Sequence, residues 1–184
     1  MKRLFWVFTL LMFASVTLSA SPVSAGIPYC WFNKGIWNGC KWVIAPTTLT
    51  APLGTDVHWQ IRITVSLPSS WDGPIENVIV KDRFGAEIEI DAYMYITGDD
   101  WTKLEISTKG KSEKVFLTWY IGTLSPGETA QLKLLISTDH NPAGKQEYTS
   151  PGCYELNSGA VLKFTYQGKQ HSAYTEPIKV SVED

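Results

Sequence analysis

Apolar and polar residues alternate through most of the chain, with the two-residue period of β-strands that bury one face. The clearest alternation spans residues 115–138, and the sequence Ser125-Pro126-Gly127-Glu128 divides it into two limbs. Proline presets φ at the first corner of a tight turn, and glycine accepts the positive φ of the second corner. The pattern therefore predicts a β-hairpin whose two apolar faces cover one core, with Trp119 as its largest buried side chain.

Shorter alternating runs, separated by Gly, Pro, Asn and Asp, predict the remaining strands. Pro46 and Pro52 limit the strand at residues 46–53 to a sheet edge. Further strands are predicted at residues 58–67, 78–80, 86–96, 102–107, 154–166 and 173–182. No stretch longer than about six residues combines a helical period with good helix formers. About eight or nine short strands with regular turns indicate an all-β sandwich of two antiparallel sheets.

The first residues are typical of an export signal. Lys2 and Arg3 precede a largely apolar run over residues 4–18, and Val23-Ser24-Ala25 supplies a cleavage site of the small-x-small type. We therefore expect residues 1–25 to be a cleaved signal peptide and the secreted chain to begin at Gly26. A retained membrane anchor is the alternative, but the run is short for a bilayer span.

Charge and length narrow the range of partners. The 184 residues carry a net charge of −2 without a cluster of Lys and Arg, and removal of Lys2 and Arg3 makes the chain more acidic. Nucleic acid and anionic membranes are therefore not expected as partners. No stable membrane anchor is expected after signal removal, and the remaining length suits one compact domain.

Residues 26–45 differ from the rest, because aromatic residues crowd them without a period of two. Export favours a disulfide, and Cys30, Cys40 and Cys153 allow several pairings with one thiol left over. The local pair Cys30–Cys40, with Cys153 left over, is preferred to a bridge from either cysteine to Cys153. The predicted organisation is a signal peptide (1–25), a disulfide-closed aromatic loop or short hairpin (26–45) and a β-sandwich (46–184).

Several motifs within residues 47–182 resemble one family of surface domains. They are a Gly-polar turn into a long strand (LGTDVHW, 53–59), the strand NVIVKD (77–82), the tryptophan strand and turn WYIGTLSPGE (119–128), and Asn157. Together they resemble the conserved-repeat immunoglobulin-like domain known as domain of unknown function eleven. The loop at 68–74 and the segment 29–42 depart from its pattern. The resemblance implies an immunoglobulin-like two-sheet sandwich in a non-enzymatic, extracellular module that builds or decorates cell surfaces.

Exposed aromatic side chains are the first candidates for binding. Trp31, Phe32, Trp37 and Trp71 are predicted to contact a glycan, a polymer or a partner protein, since aromatic rings supply contact area at little entropic cost. The alternative is that the aromatic N-terminal segment covers an open end of the sandwich core, as small exported domains often require.

The acidic residues suggest two other kinds of site. Glu87, Glu89 and Asp91 fall on one face of a predicted strand and are candidates for calcium, which prefers carboxylate oxygens; the alternative is a solvated face balanced by lysines. A lysine–asparagine amide bond beside an acidic residue is a further hypothesis, with Asn157 as the asparagine and Glu155 as the acid. Its lysine is sought among Lys81, Lys133 and Lys163. No cofactor is expected.

The sequence contains few candidates for catalytic residues. His58, His140 and His171 are scattered, and no GxSxG, HExxH or P-loop motif occurs. An enzyme is therefore not expected. The sequence predicts a secreted or cell-surface structural or adhesive module that contacts an extracellular protein or a second copy of itself in the envelope or matrix. A carbohydrate-binding module that uses exposed tryptophans and a filament subunit are the alternatives.

Overall fold

The computed structural model of the chain describes residues 31–85, 88–95, 103–109, 114–138, 148 and 150–184. The described residues form thirteen β-strands and no α-helix. The strands are β1 (Phe32–Trp37), β2 (Trp42–Ile44), β3 (Thr47–Pro52), β4 (His58–Ser66), β5 (Ile75–Arg83), β6 (Glu89–Tyr95), β7 (Lys103–Lys109), β8 (Lys114–Leu124), β9 (Thr129–Ser137), β10 (Gly152–Asn157), β11 (Val161–Tyr166), β12 (Lys169–Tyr174) and β13 (Ile178–Glu183). In these ranges, no helix is long and apolar enough to cross a membrane.

Two five-stranded sheets form the body of the molecule. The front sheet has the order β2-β1-β4-β9-β6 and the back sheet has the order β12-β11-β5-β8-β7. Every neighbouring pair in both sheets is antiparallel. A single hydrophobic cluster contains residues of both sheets, so the two sheets face each other across one core. The prediction of an all-β sandwich of two antiparallel sheets is confirmed.

A three-stranded side sheet, with the order β10-β13-β3, completes the fold. Its β3 and β13 strands are parallel, with Thr47 opposite Ile178 and Pro52 opposite Glu183. The pattern of alternating residues predicts only two antiparallel sheets. Parallel pairing joins segments that are distant along the chain, and strand periodicity carries no information about such partners. β3 does lie at a sheet edge, as its two flanking prolines predict.

The predicted hairpin over residues 115–138 is wrong in its pairing. β8 belongs to the back sheet and β9 to the front sheet, so the turn between them carries the chain across the core. The turn itself forms as predicted: Gly127 has a φ of +89°, and the Glu128 N–H donates to the Ser125 carbonyl at 3.0 Å. Two apolar faces that cover the same core can lie opposite each other as well as side by side, and the pattern does not distinguish these arrangements. Trp119 is 0% exposed, as predicted.

The two long strands predicted near the C-terminus are each divided in two. Gly159, with a φ of +91°, separates β10 from β11, and residues 175–177 separate β12 from β13. The hairpin between β11 and β12 lies where the sequence predicts it. Its turn residues Gln167 and Gly168 take positive φ values of 47° and 72°. The breaks allow β10 and β13 to leave the back sheet and pair in the side sheet.

The described part of the N-terminal segment is built into the sandwich. β1 and β2 form an antiparallel hairpin, and β1 also pairs with β4 along its whole length. Trp31, Phe32 and Ile36 are buried in the common core. This segment therefore supplies strands to the front sheet, while the predicted signal peptide lies outside the described residues.

Candidate functional site

Three polar side chains, those of Lys34, Asp82 and Asn157, meet inside the apolar core. Their exposures are 0%, 4% and 0%. Lys34 Nζ lies 3.7 Å from Asp82 Oδ1, and the side chain of Asn157 interacts with the same carboxyl group. Each residue comes from a different sheet, since β1 lies in the front sheet, β5 in the back sheet and β10 in the side sheet. We call these three residues the buried cluster.

Strand alternation explains why two charged side chains point inward. Lys34 occupies the same face of β1 as Phe32 and Ile36, which are buried. Asp82 follows Val80 on the buried face of β5. Each strand thus carries one ionisable residue where its pattern calls for an apolar one.

Asn157 reaches the cluster from an irregular strand end. The register between β10 and β13 shifts between Glu155 and Asn157, and Asn157 also forms an isolated bridge with Phe84. Because Phe84 follows β5 directly, this bridge holds Asn157 close to Asp82.

The buried cluster leaves several of its polar atoms unpaired. Lys34 Nζ, Asp82 Oδ2 and Asn157 Nδ2 are buried and have no hydrogen-bond partner among the described residues. The 3.7 Å separation of Lys34 and Asp82 is too long for a hydrogen bond. A buried polar group without a partner costs about 1–3 kcal/mol, and native proteins contain few of them. This arrangement therefore requires an explanation beyond folding stability.

The environment shifts both ionisable groups toward their neutral forms. Burial lowers the pKa of Lys34, against the opposing effect of the Asp82 carboxylate. Burial also raises the pKa of Asp82, against the opposing effects of Lys34, Asn157 and the Arg83 backbone N–H. A neutral amine has a free lone pair and is a nucleophile, while a neutral carboxyl group can donate a proton. In their neutral forms, Lys34 and Asp82 would supply a nucleophile and a proton donor beside the carboxamide of Asn157.

The carbonyl group of Asn157 is held by a backbone donor. The Gly159 N–H donates to Asn157 Oδ1 at 2.9 Å, and such a donor stabilises negative charge that develops on the oxygen. Gly159 has a φ of +91°, and a Cβ atom at this position would lie 2.4 Å from the Thr175 carbonyl oxygen. Only glycine fits this position without a shift of the backbone.

We expect Gly159→Ala to destabilise the fold by about 1–3 kcal/mol, because alanine is strained at positive φ and because its Cβ displaces the Thr175 carbonyl. Urea unfolding measures the loss. Gly168→Ala is the matched control, since Gly168 also has a positive φ, of +72°, but no atom lies within 4 Å of the position that its Cβ would occupy. Equal losses for the two variants would contradict the contact with Thr175.

Of the three residues in the buried cluster, Asn157 is a sequence-predicted site residue, while Lys34 and Asp82 are not. Lys81 and Lys163 are exposed, and Lys133 Nζ lies 5.8 Å from the centre of the Trp42 ring; the cluster contains none of these lysines. The signal that could have found Lys34 and Asp82 is the presence of a charge on an otherwise apolar strand face. The irregular composition of residues 26–45 hid that signal for Lys34.

The aromatic candidates separate into two groups. Trp31 and Phe32 are 2% and 4% exposed, and the centre of the Trp31 ring lies 5.2 Å from the centre of the Phe164 ring. These two residues fill the core, as the core-covering alternative proposes. Trp37 and Trp71 are partly exposed. A role in ligand binding for these four residues stays a prediction.

The cysteine and carboxylate candidates also stay predictions. Cys40 and Cys153 are exposed and form no disulfide within the described part of the chain, and Cys30 and Glu87 lie outside it. In β6, Asp91 accepts a hydrogen bond from the Ser137 hydroxyl at 2.7 Å. Within the described ranges, no group of three or more His, Cys, Asp or Glu residues could hold a metal ion.

Strand β6 forms one edge of the front sheet and carries exposed apolar side chains. Met94 is 60% exposed and Tyr93 is 51% exposed, and Leu135 on neighbouring β9 is 38% exposed. Alternation places Tyr93 and Met94 on opposite faces of β6. We call Tyr93, Met94 and Leu135, together with Ala92 opposite Leu135, the β6 edge surface.

Comparison with known proteins finds a relative by sequence and several solved structures with a similar fold. No family profile matches the chain. An uncharacterised protein of Archaeoglobus fulgidus is 32% identical over 121 residues, which are 66% of this chain and 41% of that protein. The chain thus spans less than half of that relative's length.

Solved structures with a similar arrangement include two pilins. The major pilin subunit BcpA of Bacillus cereus aligns at 16% identity with a TM-score of 0.48, over 82% of this chain and 39% of that one. A C-terminal fragment of the major pilin GBS80 of Streptococcus agalactiae aligns at 10% identity with a TM-score of 0.49, over 83% of this chain and 55% of that one.

Proposed function

We propose that the chain is a secreted or cell-surface structural or adhesive module that makes protein–protein contacts through the β6 edge surface. The observation that carries this proposal is the exposure of Tyr93 and Met94 on an edge strand. An edge strand offers backbone N–H and C=O groups to an added strand. Exposed apolar side chains beside such an edge are typical of interaction surfaces. The predicted export signal supports an extracellular location.

The other strands at the ends of the two main sheets are less suited to strand addition. β2 has only three residues, and β12, with the sequence KQHSAY, is mostly polar. β7 begins with Lys103 and ends with Lys109, and lysines on an edge disfavour pairing with another strand. β6 has no lysine; its first half carries Glu89 and Asp91, and the following residues Ala92, Tyr93 and Met94 are exposed and largely apolar. The first partner to test is a second copy of the chain.

We expect the protein to self-associate reversibly in sedimentation velocity experiments over a series of concentrations. The double variant Tyr93→Lys/Met94→Lys is expected to remain monomeric, because it places charge on both faces of the edge strand. Tyr174→Lys is the matched control, since Tyr174 is 67% exposed on the edge strand of the other sheet, and it should associate like the wild type. A wild-type protein that is monomeric throughout, or a double variant that associates unchanged, would contradict self-association through this surface.

A further inference from the structure

We propose that the chain cross-links itself through an amide bond between the side-chain amine of Lys34 and the carboxamide of Asn157, with Asp82 transferring the protons. This is an internal modification that each molecule performs once. It goes beyond the contact proposed for the β6 edge surface and does not depend on it.

The position of the three side chains in the fold is the first argument for this bond. Lys34 and Asn157 lie on strands of different sheets, yet both side chains interact with the one carboxyl group of Asp82. All three side chains are in the core, where water is excluded. Exclusion of water matters because water would otherwise compete with the amine for the Asn157 carbonyl carbon and would solvate the amine in its unreactive, protonated form.

The reaction balances without any further reactant. Asp82 accepts a proton from the Lys34 ammonium group, and the neutral Nζ attacks Cγ of Asn157. Negative charge develops on Oδ1, which already accepts the Gly159 N–H at 2.9 Å. Asp82 then delivers this proton to Nδ2, the Cγ–Nδ2 bond breaks, and ammonia leaves. Nζ loses its second proton to Asp82, so that the amide nitrogen keeps one hydrogen and Asp82 ends the reaction protonated. The product has one new C–N bond in place of the one that was broken, and no oxidation or reduction occurs.

The unpaired groups of the buried cluster give the reason why the bond is favourable. Before the reaction, Lys34 Nζ and Asn157 Nδ2 are buried without hydrogen-bond partners among the described residues. The reaction converts the amine into a neutral amide nitrogen and removes Nδ2 from the protein as ammonia. The new amide N–H is placed beside Asp82, whose Oδ2 also lacks a partner in the described part of the chain. An ion pair between Lys34 and Asp82 without the covalent bond would leave Lys34 Nζ, Asn157 Nδ2 and Asp82 Oδ2 without hydrogen-bond partners.

The bond would join the front sheet to the side sheet. Lys34 lies in β1, the first described strand, and Asn157 lies at the end of β10. The covalent ring would enclose the chain from the end of β1 through β10, which contains most of the two main sheets. Separation of β1 from the core would then require a covalent bond to break rather than strand pairing alone.

Intact mass spectrometry of the purified full chain tests the proposal. We expect a mass lower by one ammonia than the mass calculated for the measured N-terminus. Proteolysis should yield a branched peptide that contains both Lys34 and Asn157. Lys34→Met, Asn157→Ala and Asp82→Asn should each show the calculated mass. Thermal melting shows whether each variant is folded. Asp82→Asn replaces the carboxyl by an amide of nearly the same shape and is the variant most suited to retain the fold.

Two outcomes would overturn the proposal. One is a wild-type mass equal to the calculated value. The other is a loss of ammonia confined to a linear peptide that contains Asn157, which is the product of cyclisation onto the neighbouring backbone. Lys163→Met is the control, because Lys163 is exposed and lies in the strand after Asn157; it should retain the full loss of ammonia and the branched peptide.

Discussion

Replacement of Asp82 by alanine is expected to lower the free energy of unfolding by about 3–5 kcal/mol at neutral pH, since removal of one partner from a buried pair leaves the other uncompensated. Lys34 is 0% exposed and lies 3.7 Å from the Asp82 carboxyl group. The direction of the effect does not depend on the amide bond. A bonded wild type loses its cross-link in this variant, and an unbonded one loses its counter-charge. Urea denaturation measures the change.

The same variant should show a characteristic pH dependence. Burial lowers the pKa of Lys34 from its ordinary value of 10.5, and Asp82, which opposes this shift, is absent from the variant. Between the lowered pKa and 10.5 the unfolded chain binds the proton and the folded chain does not, so stability rises with pH. The destabilisation caused by the buried, charged Lys34 is fully present at a pH below its lowered pKa and decreases above that pKa. The difference in stability between wild type and Asp82→Ala should therefore shrink as the pH approaches 10.5.

Two controls identify the cause of this loss. Asp56→Ala removes an exposed aspartate and should change stability little. The double variant Lys34→Met/Asp82→Ala removes both ionisable groups and should be more stable than Asp82→Ala at neutral pH, without the gain at high pH. If Asp82→Ala were as stable as Asp56→Ala, the buried cluster would not contribute to folding in the way described.

Trp119→Ala is expected to cost about 3–5 kcal/mol, the range for the loss of a large aromatic side chain from a core. Trp119 is 0% exposed and lies in β8, between β5 and β7. Its Nε1 has no hydrogen-bond partner among the described residues, so the loss should come from packing alone. The measurement is the midpoint and slope of urea unfolding, with Tyr174→Ala as the exposed aromatic control. Similar midpoints for the two variants would contradict the assignment of Trp119 to the core.

The positions of the strands follow from local sequence. The strand predicted at residues 58–67 is observed as β4 (His58–Ser66), and the turn at Pro126-Gly127 forms where the residues require it. Alternation and turn chemistry depend on neighbouring residues, and their effect is the same wherever the strand is placed in the fold. Burial of Trp119 is predicted for the same reason, because an apolar strand face has to be covered.

Strand partners do not follow from local sequence. β8 and β9 are adjacent in the chain but lie in different sheets, and the parallel pairing of β3 with β13 joins residues 47–52 to residues 178–183. Hydrogen bonding between strands uses backbone groups that are the same in every residue. The choice of partner therefore depends on how the whole core packs.

The sequence alone determined the fold class, most strand positions and the inward faces of regular strands such as β8 and β9, since these depend on local periodicity. It also singled out Asn157 without its reaction partner. Only the tertiary structure placed Lys34 and Asp82 beside Asn157, because the three residues lie on strands of three different sheets. A charge on an apolar strand face shows that a side chain points inward. Which other buried groups it meets, and therefore whether chemistry can occur, depends on the packing of distant strands around the shared core.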